Sequence, residues 1–380
     1  MALQTSRFPT SEMIALVSQT PRFDLAESVG PNLTIAELFA NGDLSELSDL
    51  ELGYGTAQGS AQLRDLIAQQ LTISSDDIVT TTGGMHALFL MSTIVCDESA
   101  HVVTLSPQFP LATDCLHLFG AEVTAVRSRF EDGYCLPIEE MAQVLKPNTR
   151  LVCIASPQNP SGVLVPDSDL VQLIELMQGV CPEAYLLIDE TYRQACYDAV
   201  PCTPSASELG DRVVCVTSLS KCHGAPGLRT GWISTRDRDL LNQLIAGKFQ
   251  SIISSSTIDE ALAIRVLMNS GDILAQRRTH LGTALRLVEA WVHQHEELID
   301  WVEPDRGALC CIRLKRADRT QSYISEFYRN LEQSKVRVAP GNWFGDEAAV
   351  FRLGFGFLTH TDLSAGLSLL SQALHEVNLR

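Results

Sequence analysis

Basic residues are scarce in this chain: 28 Lys and Arg stand against 46 Asp and Glu, a formal net charge of −18. Such a balance excludes the electrostatic footprint of a nucleic-acid binder and offers nothing to an anionic membrane surface. Long apolar runs are missing too, and none approaches the roughly 20 residues that span a bilayer. The opening "MALQTSRFPTSEMIALV" has neither the apolar core nor the small-residue cleavage site of a secretory signal, so a cytoplasmic location is expected. The 11 cysteines are odd in number and contain no Cys-X-X-Cys pair. A disulfide framework and a zinc ribbon are therefore not expected, nor any metal site. "HQHEE" at 293–297 reads as the solvated face of a helix rather than a ligand set. There is no repeat, low-complexity tract or Pro/Gly-rich linker. No Gly-X-Gly-X-X-Gly follows a strand, which argues against a dinucleotide-binding dehydrogenase, and no Gly-X-Ser-X-Gly marks a hydrolase elbow.

What is present is an α/β alternation. "GSAQLRDLIAQQL" puts Leu63, Ile67 and Leu71 four apart on one helical face, with Ser60 as its expected cap. Short continuous apolar runs follow: "HVVTLSP", "RLVCIASP", "AYLLIDE", "RVVCVTS" and "GWIST", separated by helical patterns such as "DSDLVQLIELMQ". Runs apolar at every position are what strands covered on both faces look like, so a mainly parallel sheet flanked by helices is expected. After about residue 270 the pattern changes. A long helix in "TALRLVEAWVHQHEEL", a buried strand at Cys310–Cys311 in "GALCCIRL", a helix near 321–333, strands in "VRVAPG" and "VFRLGFG", and a last helix make an α+β unit. The expected organisation is an N-terminal arm and helix (1–45, the helix in "TIAELFANG"), a large domain (46–268) and a small C-terminal domain (269–380).

Polar residues gather where these strands end. "RLVCIASP" runs into Asn159, "AYLLID" ends on Asp189 with Tyr192 one turn later, and "RVVCVTS" ends on Ser218, followed by Lys221 and Arg229. "DIVTT" ends in "TGGMH", whose glycines open backbone N–H groups towards an anion at a helix start. In an open α/β sheet ligands collect at the carboxyl ends of strands. One edge thus assembles an anion cradle, an amine, a carboxylate, an amide and a phenol. A ligand with a phosphate, an imine-forming carbonyl and a basic ring nitrogen uses all of them, and pyridoxal 5′-phosphate is such a ligand.

With these residues in view the chain resembles the fold-type I pyridoxal-phosphate-dependent aminotransferases (class I/II). The resemblance runs through "YGTAQGSAQLR", "TTGGMHAL", "SPQNPSG", "LIDETYR", "SLSKCHGAPGLRTGW", "VRVAPGNWFG" and "FRLGFG", in the family's order. It implies that Lys221 is the imine-forming lysine and proton carrier, that Asp189 pairs with the ring nitrogen, and that Asn159 and Tyr192 bond the ring's phenolic oxygen. Ser218, Arg229 and the backbone of Gly84 and Met85 would hold the phosphate, joined by Tyr54 from the neighbouring subunit of a homodimer with shared active sites. Phe109 would stack on the ring, and Arg352 would grip the substrate α-carboxylate.

The resemblance leaves the reaction open. The arm "FDLAESVGPNLT" departs from the family's usual wording and places Glu27 and Ser28 where the arm closes over substrate, and His86 stands where a small polar or acidic residue is common. No role is assigned to Cys222 or His223. Transamination of an L-amino acid with an α-keto acid acceptor is the first expectation. The arm's "LAES…LT" also resembles the capreomycidine synthase and enduracididine-forming cyclase branch, for which Glu12 or Glu27 over the substrate would suit an arginine-derived guanidinium.

Overall fold

The computed structural model describes residues 8, 11–14, 16, 21–40, 42, 44–197, 202–315 and 320–378. In chain order its strands are β1 (Phe23–Asp24), β2 (Ile78–Thr82), β3 (His101–Ser106), β4 (Glu122–Arg127), β5 (Thr149–Ala155), β6 (Tyr185–Asp189), β7 (Val213–Ser218), β8 (Thr230–Thr235), β9 (Ile299–Val302), β10 (Leu309–Leu314), β11 (Val336–Arg337), β12 (Ala339–Pro340) and β13 (Val350–Gly354). The helices are α1 (Ile35–Leu38), α2 (Ala61–Leu71), α3 (Gly83–Val95), α4 (Pro110–Leu118), α5 (Ile138–Val144), α6 (Asp167–Val180), α7 (Arg238–Ile252), α8 (Thr257–Met268), α9 (Ser270–Gln294), α10 (Gln321–Gln333) and α11 (His360–Asn378). Among the described residues no helix is long and apolar enough to cross a membrane.

The larger sheet has seven strands in the order β2-β8-β7-β6-β5-β3-β4. Its apolar runs are continuous because both faces are covered. On β5, Leu151 and Cys153 join Leu88, Leu90 and Met91 of α3 in one core. The alternate residues Val152 and Ile154 join Leu170, Leu173 and Met177 of α6 in the other. β8 is the one strand that runs against its neighbours, pairing antiparallel with both β7 and β2. The connection from Ser218 to Thr230 has no crossover helix, and a short link without one returns the chain antiparallel. The loop carrying Lys221 is therefore pinned to the carboxyl edge of β7. β4, unannounced by any continuous apolar run, lies at the sheet's edge, where only Val126 of "EVTAVR" is buried.

The smaller sheet is antiparallel, in the order β12-β13-β10-β9, with α9, α10 and α11 packed on it through Ile312, Phe327, Phe351, Leu353 and Leu370. Cys310 and Cys311 are fully buried on β10. "VRVAPG" is not one strand. β11 pairs in parallel with β1 of the N-terminal arm, while β12 turns to β13. The arm continues on β13, since Gly354 N–H donates to Leu25 O at 2.7 Å, and Asp24 forms a buried ion pair with Arg337. Gly354 is required there, for a Cβ on it would lie 1.9 Å from Glu27 O. Farther along, Leu33 N–H donates to Gly224 O at 2.7 Å, which fastens the arm to the Lys221 loop. α1 follows, closed by a capping box between Thr34 and Glu37.

Two local expectations are corrected. Ser60 stands at the start of α2, but its hydroxyl caps nothing. Its N–H donates instead to the Glu260 carboxylate at 3.0 Å, so the partner is tertiary rather than local. Leu63, Ile67 and Leu71 are buried as their spacing requires. In "HQHEE", His295 does not face solvent: it turns inward after α9, its Nδ1 2.7 Å from Trp291 O and its ring beside His375.

Candidate active site

β5, β6 and β7 are adjacent, and their register sets Ala155 beside Asp189 and Asp189 beside Val216. Beyond their carboxyl ends opens a cavity of about 640 Å³. Lys221, Asp189, Tyr192, Asn159, Gly84, Met85, Phe109, Ser218 and Arg229 line it, and so do Arg352, Glu27 and Ser28 from the smaller sheet and the arm.

One end of the cavity is a cradle for an anion. Among the described residues no side chain caps the start of α3, which leaves its first N–H groups available to an anion. Glycine is needed in this turn: Gly83 has φ +73°, and a Cβ on it would lie 2.3 Å from the Arg229 guanidinium. Arg229 itself adopts the left-handed conformation at φ +46°, and its guanidinium donates to Pro226 O at 3.0 Å and to Ser220 Oγ at 3.4 Å. Ser218 and Ser220 add hydroxyls beside it.

In the middle lies Lys221. Its burial lowers the ammonium to about 8, an effect that Arg352 and Arg229 reinforce and that Glu27 and Asp189 oppose. A sizeable fraction of neutral amine near physiological pH follows. Ser28 Oγ accepts from Tyr192 OH at 2.8 Å and from Lys221 Nζ at 3.4 Å, so the arm's serine joins phenol and amine. Burial raises the Tyr192 phenol above its usual range. It also pushes the Asp189 carboxyl up, against donors from Thr191 and the Lys221 cation.

At the other end Arg352 of β13 is almost wholly buried. It donates to Asn159 Oδ1 at 2.8 Å and to Ala26 O at 2.5 Å, and its guanidinium lies 4.8 Å from the Phe344 ring centroid. Burial lowers its proton affinity from the usual value, and Tyr192 and Glu27 oppose that loss. A guanidinium so held presents a flat fork suited to a carboxylate. Among the described residues no hydrogen bond or ion pair to the Glu27 side chain is formed, and the carboxylate lies near enough to act on Lys221, Tyr192 and Arg352.

Two designated residues lie elsewhere. Tyr54 is 86% exposed and away from the cavity of its own chain. Glu12 is exposed and lines a separate hollow with Asp114 and Trp343, because the neighbouring Met13 is the residue that turns inward, packing with Ala26, Ala339 and Phe344. His86 also faces away, its ring between Thr82 N–H and Ser251 Oγ. Cys222 bonds Thr191 O at 3.1 Å, and His223 is buried against Ser270 at 2.9 Å, its proton affinity lowered by burial to about 4. Both are packing neighbours of the lysine. The motif reading passed over Thr191, Asp24 and Leu16, which also line the cavity. For Thr191 the signal was present, because a Ser or Thr two residues after a strand-ending Asp is placed to donate back to it.

The aminotransferase class I and II model matches residues 26–368. The chain belongs to the aminotransferase class I and II family. Capreomycidine synthase of Streptomyces vinaceus is 28% identical, over 92% of this chain and 89% of that protein. The arginine–pyruvate transaminase of Pseudomonas aeruginosa is 28% identical over 47% of each chain. Among solved structures, a PLP-dependent aminotransferase from Streptococcus suis superposes with a TM-score of 0.86, at 27% identity and 94% coverage of both chains. As an aminotransferase-family enzyme the protein depends on pyridoxal 5′-phosphate. The site fits that group on its own terms. The glycine cradle with Arg229 suits a phosphate, the depressed Lys221 amine suits an aldehyde, and the Asp189 carboxylate at the end of β6 suits a ring nitrogen.

Proposed function

We propose that the protein acts at the α-carbon of an L-amino acid with a basic side chain and moves its amino group to an α-keto acid. When bound, pyridoxal 5′-phosphate supplies an imine-forming aldehyde and a ring that withdraws electrons from the α-carbon. The residues divide the remaining work. Gly84 and Met85 N–H, Ser218 and Arg229 would hold the phosphate, Asp189 would pair with the ring nitrogen, Asn159 and Tyr192 would bond the phenolic oxygen, and Phe109 would cover the ring. Lys221 would hold the aldehyde, and its amine is the group placed to carry the α-proton. Arg352 clamps the substrate carboxylate and so decides which α-carbon bond stands across the ring. Glu27 would receive a cationic side chain, with Ser28 beside it, whereas Glu12 lines a separate hollow.

The observation that carries this reading is the convergence of the Lys221 amine and the buried Arg352 guanidinium on one cavity. Tyr54, exposed in this chain, would reach the phosphate site of a second copy, and the enzyme would then be a homodimer with shared sites. The 46–268 and 269–380 units act as its large and small domains, and a cytoplasmic location suits its unpaired thiols. A second reading is elimination and ring closure on a hydroxylated arginine. The Ser28 bridge to Lys221 and Tyr192 and the near full-length likeness to capreomycidine synthase favour it. Incubation with single amino acids, with and without an α-keto acid acceptor, tests both. Transamination gives keto acid from arginine or lysine only when acceptor is present. A cyclic product from hydroxyarginine without acceptor, and no keto acid, establishes the second reading instead.

A further inference from the structure

The turn at 341–346 joins β12 to β13 of the smaller sheet and lies against the ends of β3 and β4 of the larger one. Phe344 in this turn is buried, packs with Met13 and Ala26 of the arm, and presents its ring to the Arg352 guanidinium. Its backbone is tied across the junction: Gln108 N–H donates to Phe344 O at 3.0 Å, and Ser106 Oγ and the Arg127 guanidinium each donate to Gly345 O at 2.9 Å. Asp346 closes the turn, its N–H donating to Gly341 O at 2.9 Å. Its carboxylate is almost inaccessible to water. It accepts from Arg127 at 2.8 Å, from the Glu347 N–H at 2.8 Å and from the Tyr134 hydroxyl. Burying a carboxylate is costly unless such donors surround it, so the turn is held where they are.

Tyr134 is fully buried in a left-handed conformation, φ +57°, that a bulky residue avoids. Such a conformation persists only where the surroundings over-determine it. Its carbonyl accepts from Gln158 Nε2 at 2.8 Å, and Gln158 adjoins Asn159, the acceptor of Arg352. Burial raises the phenol above its usual range, so it remains a donor. The segment that places Asn159 and the turn that places Phe344 are thus joined through Tyr134 and Asp346, and Arg352 lies between Asn159 and Phe344.

We propose that Asp346 is a positioning residue for substrate recognition: by taking the Tyr134 hydroxyl and the Arg127 guanidinium, it fixes the turn that seats Phe344 on Arg352, and so the aim of that guanidinium at a substrate carboxylate. The inference rests on the proposed role of Arg352 as the carboxylate clamp.

Asp346→Asn keeps the size and removes the charge. Tyr134→Phe keeps the ring, removes only the hydroxyl, and serves if the first variant fails to fold. The holoenzyme is titrated with L-arginine and with agmatine, which has the same amine and side chain but no carboxylate, and half-saturation is read from the cofactor's visible absorption. Cofactor affinity and melting temperature are measured beside it. Asp346→Asn should lower the preference for arginine over agmatine on the order of tenfold, the scale of lost hydrogen bonds to a charge, and Tyr134→Phe by about threefold. Cofactor affinity should stay within about twofold of wild type in both. A lower melting temperature with the preference intact means packing alone and overturns the inference. So does a cofactor affinity that falls as far as the preference. Arg352→Gln separates the layers. If it keeps the preference, or the wild type has none, the carboxylate clamp is wrong and the inference falls with it. If it abolishes the preference while Asp346→Asn and Tyr134→Phe retain theirs, only the role of Asp346 fails.

Discussion

On one side of the cavity the groups sit at the ends of β5, β6 and β7, where strand register spaces Asp189 and Ser218 from each other and a short return to β8 pins Lys221 beside them. On the other side Glu27 and Ser28 ride on an arm held by a two-residue parallel pairing with β11, by bonds from Gly354 and Arg352 of β13, by one ion pair, and by Phe23 and Leu25 in the core on the smaller sheet. The first wall is fixed by a ladder that also supports the core. The second is fixed by a few contacts that can be altered without touching that core. The proposed roles put cofactor chemistry on the first wall and choice of substrate on the second, so the two should separate under mutation.

Lys221→Ala should show the largest effect: no visible absorption from bound cofactor, and turnover reduced by on the order of 10²–10⁴-fold or more. In the wild-type apo-enzyme the same amine should capture cofactor faster as pH rises and level off above about 8, because only the deprotonated form attacks the aldehyde and its protonated form is disfavoured by burial. Stopped-flow absorbance across pH checks this. Gly354→Ala comes next. Its Cβ would lie 1.9 Å from Glu27 O, so the arm must shift. Cofactor absorption should survive while kcat/KM falls by about 10²-fold, the scale of a misplaced substrate. A variant that loses its colour would show that the two walls are not separable. Glu27→Gln should be mildest, lowering the kcat/KM preference for arginine over a neutral amino acid by about tenfold, or roughly 1.4 kcal/mol. An unchanged preference would remove Glu27 from substrate choice.

How much was legible follows the same division. Lys221, Asp189, Ser218 and Asn159 could be placed from sequence because each ends an apolar run or follows one closely, and in a sheet covered on both faces a run's end is also a place in space. The mainly parallel order was readable for the same reason, but β8's reversal was visible only in the length of the connection before it. β4 was silent because an edge strand needs no continuous apolar run. The arm has no such ruler. Glu12, Glu27 and Ser28 looked alike on paper, and which of them reached the cavity was decided by Met13 docking on Ala26, Ala339 and Phe344. Ser60 and His295 were misread for a related reason: their partners, Glu260 and the Trp291 carbonyl beside His375, come from tertiary packing, not from local spacing.

The arm is fastened at two points to two different bodies, Leu25 to the smaller sheet and Leu33 to the loop of Lys221, with Ser28 between them. A span clamped at both ends works as a gauge of the gap it bridges. Ser28 lies between the two attachments, so the hydroxyl that joins Tyr192 to Lys221 is placed by the smaller sheet and the lysine loop at once.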